Sequence, residues 1–148
     1  MKKILVSACL LGEKCRYDGK SKPCESVIKL SKKFELVPVC PEVFGGLPTP
    51  RIPAEIVDGA VIRKDGSDVS NEYKVGAKKA LDIAVQNEIS IAVLKEKSPS
   101  CGKDIIHNGK FDGGLSAGNG ITVELFLKNG ISVYKESEID KLLSDTEK

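Results

Sequence analysis

Three cysteines stand where apolar runs end. Cys9 follows Lys3-Ile4-Leu5-Val6-Ser7-Ala8, Cys40 follows Phe34 to Val39, and Cys101 follows Ile89 to Leu94 by way of Lys95-Glu96-Lys97-Ser98-Pro99-Ser100. Each run has the short, continuous apolar pattern of a buried parallel strand. In open parallel sheets the ligand site lies beyond the C-terminal strand ends, where strand order reverses, so the three thiols are expected to converge there. Thiolates are soft ligands, which selects for zinc or iron–sulfur centres. Structural zinc favours close pairs such as C-x2-C, and the sequence contains none. Three thiolates from distant points suit a four-iron cluster with one iron left open for Lewis-acid chemistry. A single buried cysteine is ordinarily a small hydrophobe, but that does not account for three at strand ends beside glycine, proline and polar residues.

The other candidate groups ride on the same loops. Glu42, two residues after Cys40, is the best placed general base; its alternative is a solvated loop carboxylate. Ser98 and Ser100 flank Pro99 ahead of Cys101, and either hydroxyl can relay a proton or simply hold a turn. Cys15 is open between a fourth ligand, a transient thiol and a structural residue, whereas Cys24, at the start of a helix, reads as structural. His107, the single histidine, reads as a loop residue. Gly113, Gly114, Gly118 and Gly120 do not form a G-x-G-x-x-G after a strand, which excludes a dinucleotide fingerprint.

The elements that must position these groups alternate in type. A polar loop from Gly12 to about Cys24 is followed by a short amphipathic helix over 25–33 and a strand over 34–39 that Pro41 cannot continue. Gly45 to Pro53 has too many breakers for a regular element. Asp58-Gly59 lies between two short runs and predicts a hairpin over 55–64. Asp68 to Glu72 offers helix caps ahead of a long helix to about Asn87, with Val75, Leu81, Ile83, Ala84 and Val85 as its buried face. After the strand at 89–94, residues 102–120 are glycine-rich and weakly patterned. A helix over 121–128, a strand over 131–134 and a helix opened by Ser137 and Asp140 complete the chain. Alternating strands and helices predict an α/β fold, a Rossmann-like three-layer sandwich with a mainly parallel sheet, in one domain spanning 1–148.

Composition narrows the function class. A chain of 148 residues, 41% hydrophobic and 30% charged, is globular rather than disordered, and a net charge of +2 gives no basic stripe for nucleic acid or an anionic membrane. No apolar run approaches the roughly 20 residues of a membrane span, and the N-terminus does not read as a secretion signal. A cytoplasmic protein is expected. Five cysteines, an odd count in a reducing compartment, argue against a disulfide framework.

Taken together, Ser7-Ala8-Cys9-Leu10-Leu11-Gly12 with Cys15-Arg16-Tyr17-Asp18-Gly19, Cys40-Pro41-Glu42 with Gly45-Gly46-Leu47-Pro48-Thr49-Pro50-Arg51, and Ser98-Pro99-Ser100-Cys101-Gly102 resemble the thiouracil desulfidase family. The order and spacing of the motifs carry the resemblance along essentially the whole chain. It implies a [4Fe-4S] cluster held by Cys9, Cys40 and Cys101, and a non-redox removal of sulfur from a thiolated pyrimidine such as 2- or 4-thiouracil. It favours Ser98 over Ser100 beside Glu42 as a catalytic group. Arg16, Tyr17, Asp18 and Arg51 are then candidates for holding the polar edge of the ring, although a surface salt bridge explains arginine and aspartate equally well. Two rival functions stand beside it: a non-enzymatic iron–sulfur or zinc protein acting as sensor or carrier, and persulfide chemistry on Cys15 or Cys101. Oligomeric state is open.

Overall fold

The computed structural model describes residues 1–147. Strand β1 (Lys3–Ser7) leads into a 3-10 turn at Ala8–Leu11 and a long loop. Helix α1 (Glu25–Ile28) tightens at once into 3-10 geometry over Lys29–Lys32, so the expected amphipathic helix exists in two short pieces. Strand β2 (Glu35–Val39) is followed by α2 (Pro41–Phe44), a single helical turn ahead of the breaker-rich loop. Pro41 ends the strand and also starts this turn, because its missing N–H and fixed φ suit the first helical position. Strands β3 (Ala54–Val57) and β4 (Ala60–Arg63) form the expected hairpin. Its turn residues Asp58 and Gly59 both have positive φ, 49° and 82°, the geometry that makes Asp-Gly a favoured hairpin turn.

Helix α3 (Ser70–Gln86) and strand β5 (Ile91–Leu94) come next, then a second hairpin of β6 (Ile105–His107) and β7 (Leu115–Ala117). Helix α4 (Ile121–Lys128), strand β8 (Ser132–Lys135) and helix α5 (Ile139–Thr146) close the chain. The main sheet is four-stranded and wholly parallel, in the order β2-β1-β5-β8. From β1 the chain steps to β2 on one side and later to β5 on the other. The order therefore reverses beside β1.

Alternation along the strands sorts the core into two layers. Ile4, Val6, Ile91 and Val93 face α1 and α5, packing with Val27, Leu30, Ile139 and Leu142. Leu5, Ala92, Leu94 and Val133 face α3 and α4, packing with Ala80, Leu81, Ala84, Val123 and Phe126. This is the three-layer α/β architecture expected from the sequence. Among the described residues no helix is long and apolar enough to cross a membrane.

The buried face of α3 differs from the expected one. Tyr73, Gly76, Ala77 and Ala80 are buried with Leu81 and Ala84, whereas Val75 and Val85 are 37% and 64% exposed. The helix approaches its neighbours so closely that small residues, not valines, line its contact. A Cβ at Gly76 would run into the Pro41 carbonyl, and one at Gly45 into the Glu72 carbonyl. Turn α2 thus lies backbone to backbone on α3.

Candidate active site

A cavity of about 490 Å³ opens beyond the C-terminal ends of β1, β2 and β5, the location predicted for the site. Its lining includes Cys9, Cys15, Cys40 and Cys101 together with Glu42, Arg51, Tyr73 and Ser98. Cys9 sits in the 3-10 turn after β1, Cys40 at the junction of β2 and α2, and Cys101 after the turn that follows β5. All are free thiols. Cys24 caps α1 away from this lining and contacts Ser26.

Cys9, Cys15 and Cys101 are buried, Cys40 is half-buried, and the thiols are close enough to affect one another. Cys15 hydrogen-bonds to Cys40, which favours its thiolate, but the bond to Cys9 and burial outweigh that and push it up to about 11. Cys40 is held far above the ordinary thiol range, first by its bond to Cys15 and then by burial. Burial, then the nearby Glu42 charge, pushes Cys101 up to about 12. Cys15, Cys40 and Cys101 therefore carry their protons at neutral pH when no metal is bound, and loading a metal centre must displace them.

The donor set fits an iron–sulfur cluster. Among the described residues no three thiol, imidazole or carboxylate side chains converge as a site for one metal ion. A cluster offers separate corners to ligands that need not touch, and thiols delivered by three strand ends around one cavity match that requirement.

Glu42 is held by one of its two oxygens. Oε2 accepts from Arg51 Nη2 at 3.0 Å and from the Tyr73 hydroxyl at 2.8 Å. Oε1 takes no hydrogen bond among the described residues. The Arg51 side chain is only 4% exposed; burial opposes its charge, but adjacent Glu42 outweighs this and holds it above its ordinary value. Its Nη1 donates to the carbonyls of Cys15 at 3.1 Å and Pro48 at 3.2 Å, and its backbone N–H to the Tyr17 carbonyl at 2.7 Å. Arg51 thus ties the Cys15 loop to Glu42. Burial and then Glu42 keep the Tyr73 hydroxyl protonated well past the usual phenol range.

The two serines separate clearly. Ser98 lines the cavity, and its Oγ accepts the Cys101 N–H at 2.7 Å, leaving its own proton free. Ser100 is fully buried and pairs with Thr122 at 2.8 Å, outside the lining. Arg16 and Tyr17 line the mouth, with the guanidinium 5.7 Å from the ring centroid. Asp18 does not line it; it pairs with Arg16 at 3.6 Å and accepts from the Lys20 N–H.

Among the lining residues that the sequence did not assign to the site, Tyr73, Ser7, Glu55 and His107 carry the most chemistry. Tyr73 was hidden by its mixed helical context. Ser7 accepts the Lys95 N–H at 2.9 Å, joining β1 to the loop after β5. Glu55 comes from β3, and His107, expected in a loop, belongs to β6 and lines the cavity.

Fold and site together define an α/β protein with a thiol-lined cleft at the reversal point of a parallel sheet. The family model described as 2-thiouracil desulfurase matches residues 4–138, and the chain belongs to that family. It is 40% identical over 150 residues to the uncharacterized protein YbbK of Bacillus subtilis (strain 168), an alignment covering 95% of this chain and 99% of that protein. A solved structure described as the [4Fe-4S]-dependent thiouracil desulfidase TudS superposes with a TM-score of 0.94 at 43% identity, covering 99% of each chain.

Proposed function

We propose that the chain, acting as one domain over residues 1–148, is a [4Fe-4S]-dependent desulfidase. It takes sulfur from a thiolated pyrimidine of the 2- or 4-thiouracil kind and gives uracil and hydrosulfide. The observation that carries this reading is the meeting of Cys9, Cys40 and Cys101 on one cavity beside a carboxylate clamped by a single oxygen. Cys9, Cys40 and Cys101 would hold the cluster. When bound, it supplies a soft Lewis-acidic iron with affinity for a thiocarbonyl sulfur.

The remaining work falls to side chains of this chain. The substrate carbon exchanges C=S for C=O, so water must lose protons as hydrosulfide departs. Glu42 Oε1, unbonded while Oε2 is held, accepts the water proton. The Ser98 hydroxyl, whose oxygen is fixed by the Cys101 N–H, donates its proton toward the ring. Arg16 and Tyr17 at the mouth contact the ring's polar edge. Arg51 and Tyr73 act through Glu42, fixing which oxygen faces the cavity. The small-molecule substrate and the cytoplasmic location follow from the same reading.

Iron and acid-labile sulfide analysis of anaerobically reconstituted protein, with a thiouracil turnover assay on the same sample, tests it. Expected are about four iron atoms per chain and release of sulfide with uracil. A fully loaded cluster without turnover of any thiopyrimidine would favour a carrier or sensor instead.

A further inference from the structure

A second carboxylate lines the cavity and has no part in the chemistry described so far. Glu55, on β3, is only 8% exposed, and no cation forms an ion pair with it among the described residues. Its Oε1 accepts two backbone N–H groups from the loop between β6 and β7, Gly109 at 2.9 Å and Phe111 at 3.3 Å. Gly109 is pressed against the hairpin, since a Cβ there would meet the Ile56 carbonyl at 2.6 Å. Phe111, on that loop, also lines the cavity. Lys97 bridges to Ile106, so the second hairpin is tied to the loop that carries Ser98.

A buried carboxylate without a cation is costly unless its oxygens find donors. Oε1 is satisfied. Among the described residues Oε2 takes no hydrogen bond, yet it is not one of the sealed, unpartnered atoms. Holding the loop needs one oxygen only, and Glu55 lines the cavity with the other oxygen unpartnered among the described residues. A thiouracil ring carries its sulfur on one edge and N–H donors on the ring nitrogens.

We propose that Glu55 is a specificity-determining residue whose Oε2 accepts a ring N–H of the substrate, with Phe111 held against the ring by the same side chain. This rests on the desulfidase reading. Glu55 would select for pyrimidines that keep the N–H, independently of where sulfur is attached.

The test uses cluster-loaded protein, wild type and Glu55→Gln, titrated calorimetrically with 2-thiouracil and its N1-methyl and N3-methyl derivatives. Glutamine keeps a carbonyl for Gly109 and Phe111 but loses the anionic acceptor. Removing a charged hydrogen bond should weaken 2-thiouracil binding at least about tenfold. One methyl derivative should bind wild type weakly by a similar factor, and Glu55→Gln should bind that derivative as wild type does. Amide hydrogen exchange at Gly109 and Phe111 should stay slow. Equal affinity of both proteins for 2-thiouracil would overturn the proposal. So would a uniform loss across all three ligands with fast exchange in the loop, which would make Glu55 purely structural. Failure of the wild type to bind or turn over any thiopyrimidine would instead bring down the desulfidase reading and this proposal with it.

Discussion

The cavity has two unlike sides. The thiol side is made of the ends of β1, β2 and β5, each fixed by a parallel ladder with buried layers on both faces. The other side is made of two short hairpins, joined across the cavity by one carboxylate and two amides. Cooperative ladders with a packed core open only near global unfolding, whereas short two-stranded ribbons such as β6–β7, where Ile106 alone is buried, open at lower cost. On the proposed reading, the part that would keep a cluster in place is thereby separated from the part that would admit and release a substrate.

The largest effects should come from the rigid side. Replacing Cys9, Cys40 or Cys101 by alanine is expected to abolish iron retention and activity while far-UV circular dichroism stays native; Cys24→Ala should retain both. A Cys101→Ala protein with full iron content would break the assignment. Glu42→Gln should keep the cluster spectrum but lose about 10²- to 10⁴-fold in kcat, and unchanged turnover would remove its role as base.

Intermediate effects test how the base is held. Gly76→Ala forces α2 away from α3 and should lower stability by about 2 kcal/mol, typical of overpacking, with activity falling as Glu42 shifts; denaturant midpoint and kcat report the two. Tyr73→Phe removes one of two bonds to Oε2 and should reduce kcat about tenfold with little change in KM. A change confined to KM would mean that Tyr73 meets substrate directly. The smallest effect should be Val85→Lys on the exposed face of α3, within about 0.5 kcal/mol of wild type by thermal melting.

The same contrast governs what the sequence disclosed. Cys9, Cys40 and Cys101 were legible because apolar runs announce buried strands and the ligand position follows from parallel-sheet topology. The Asp58-Gly59 turn and α4 were legible for similar local reasons. The contact face of α3 was not, because close helix packing uses glycine and alanine, which carry almost no hydrophobic signal; Val75 and Val85 were counted inward for their chemistry and point outward. Strands β6 and β7 have three residues each, too few for a period, so His107 and Phe111 stayed hidden. Glu55 could be placed on a hairpin, but its partners lie 54 and 56 residues away along the chain. No local pattern records such a bond.

The approach of Gly45 and Gly76 to the Glu72 and Pro41 carbonyls carries a consequence for adaptation. The backbone of the turn that carries Glu42 is set by main-chain contact with α3, while its carboxylate is set by Arg51 and Tyr73, none of which belongs to either hairpin. Hairpin residues can therefore be exchanged to admit a bulkier or differently substituted ring without retuning the reaction centre. A library confined to residues 52–57 and 107–113 is the natural starting material for redirecting this scaffold to new sulfur-bearing heterocycles.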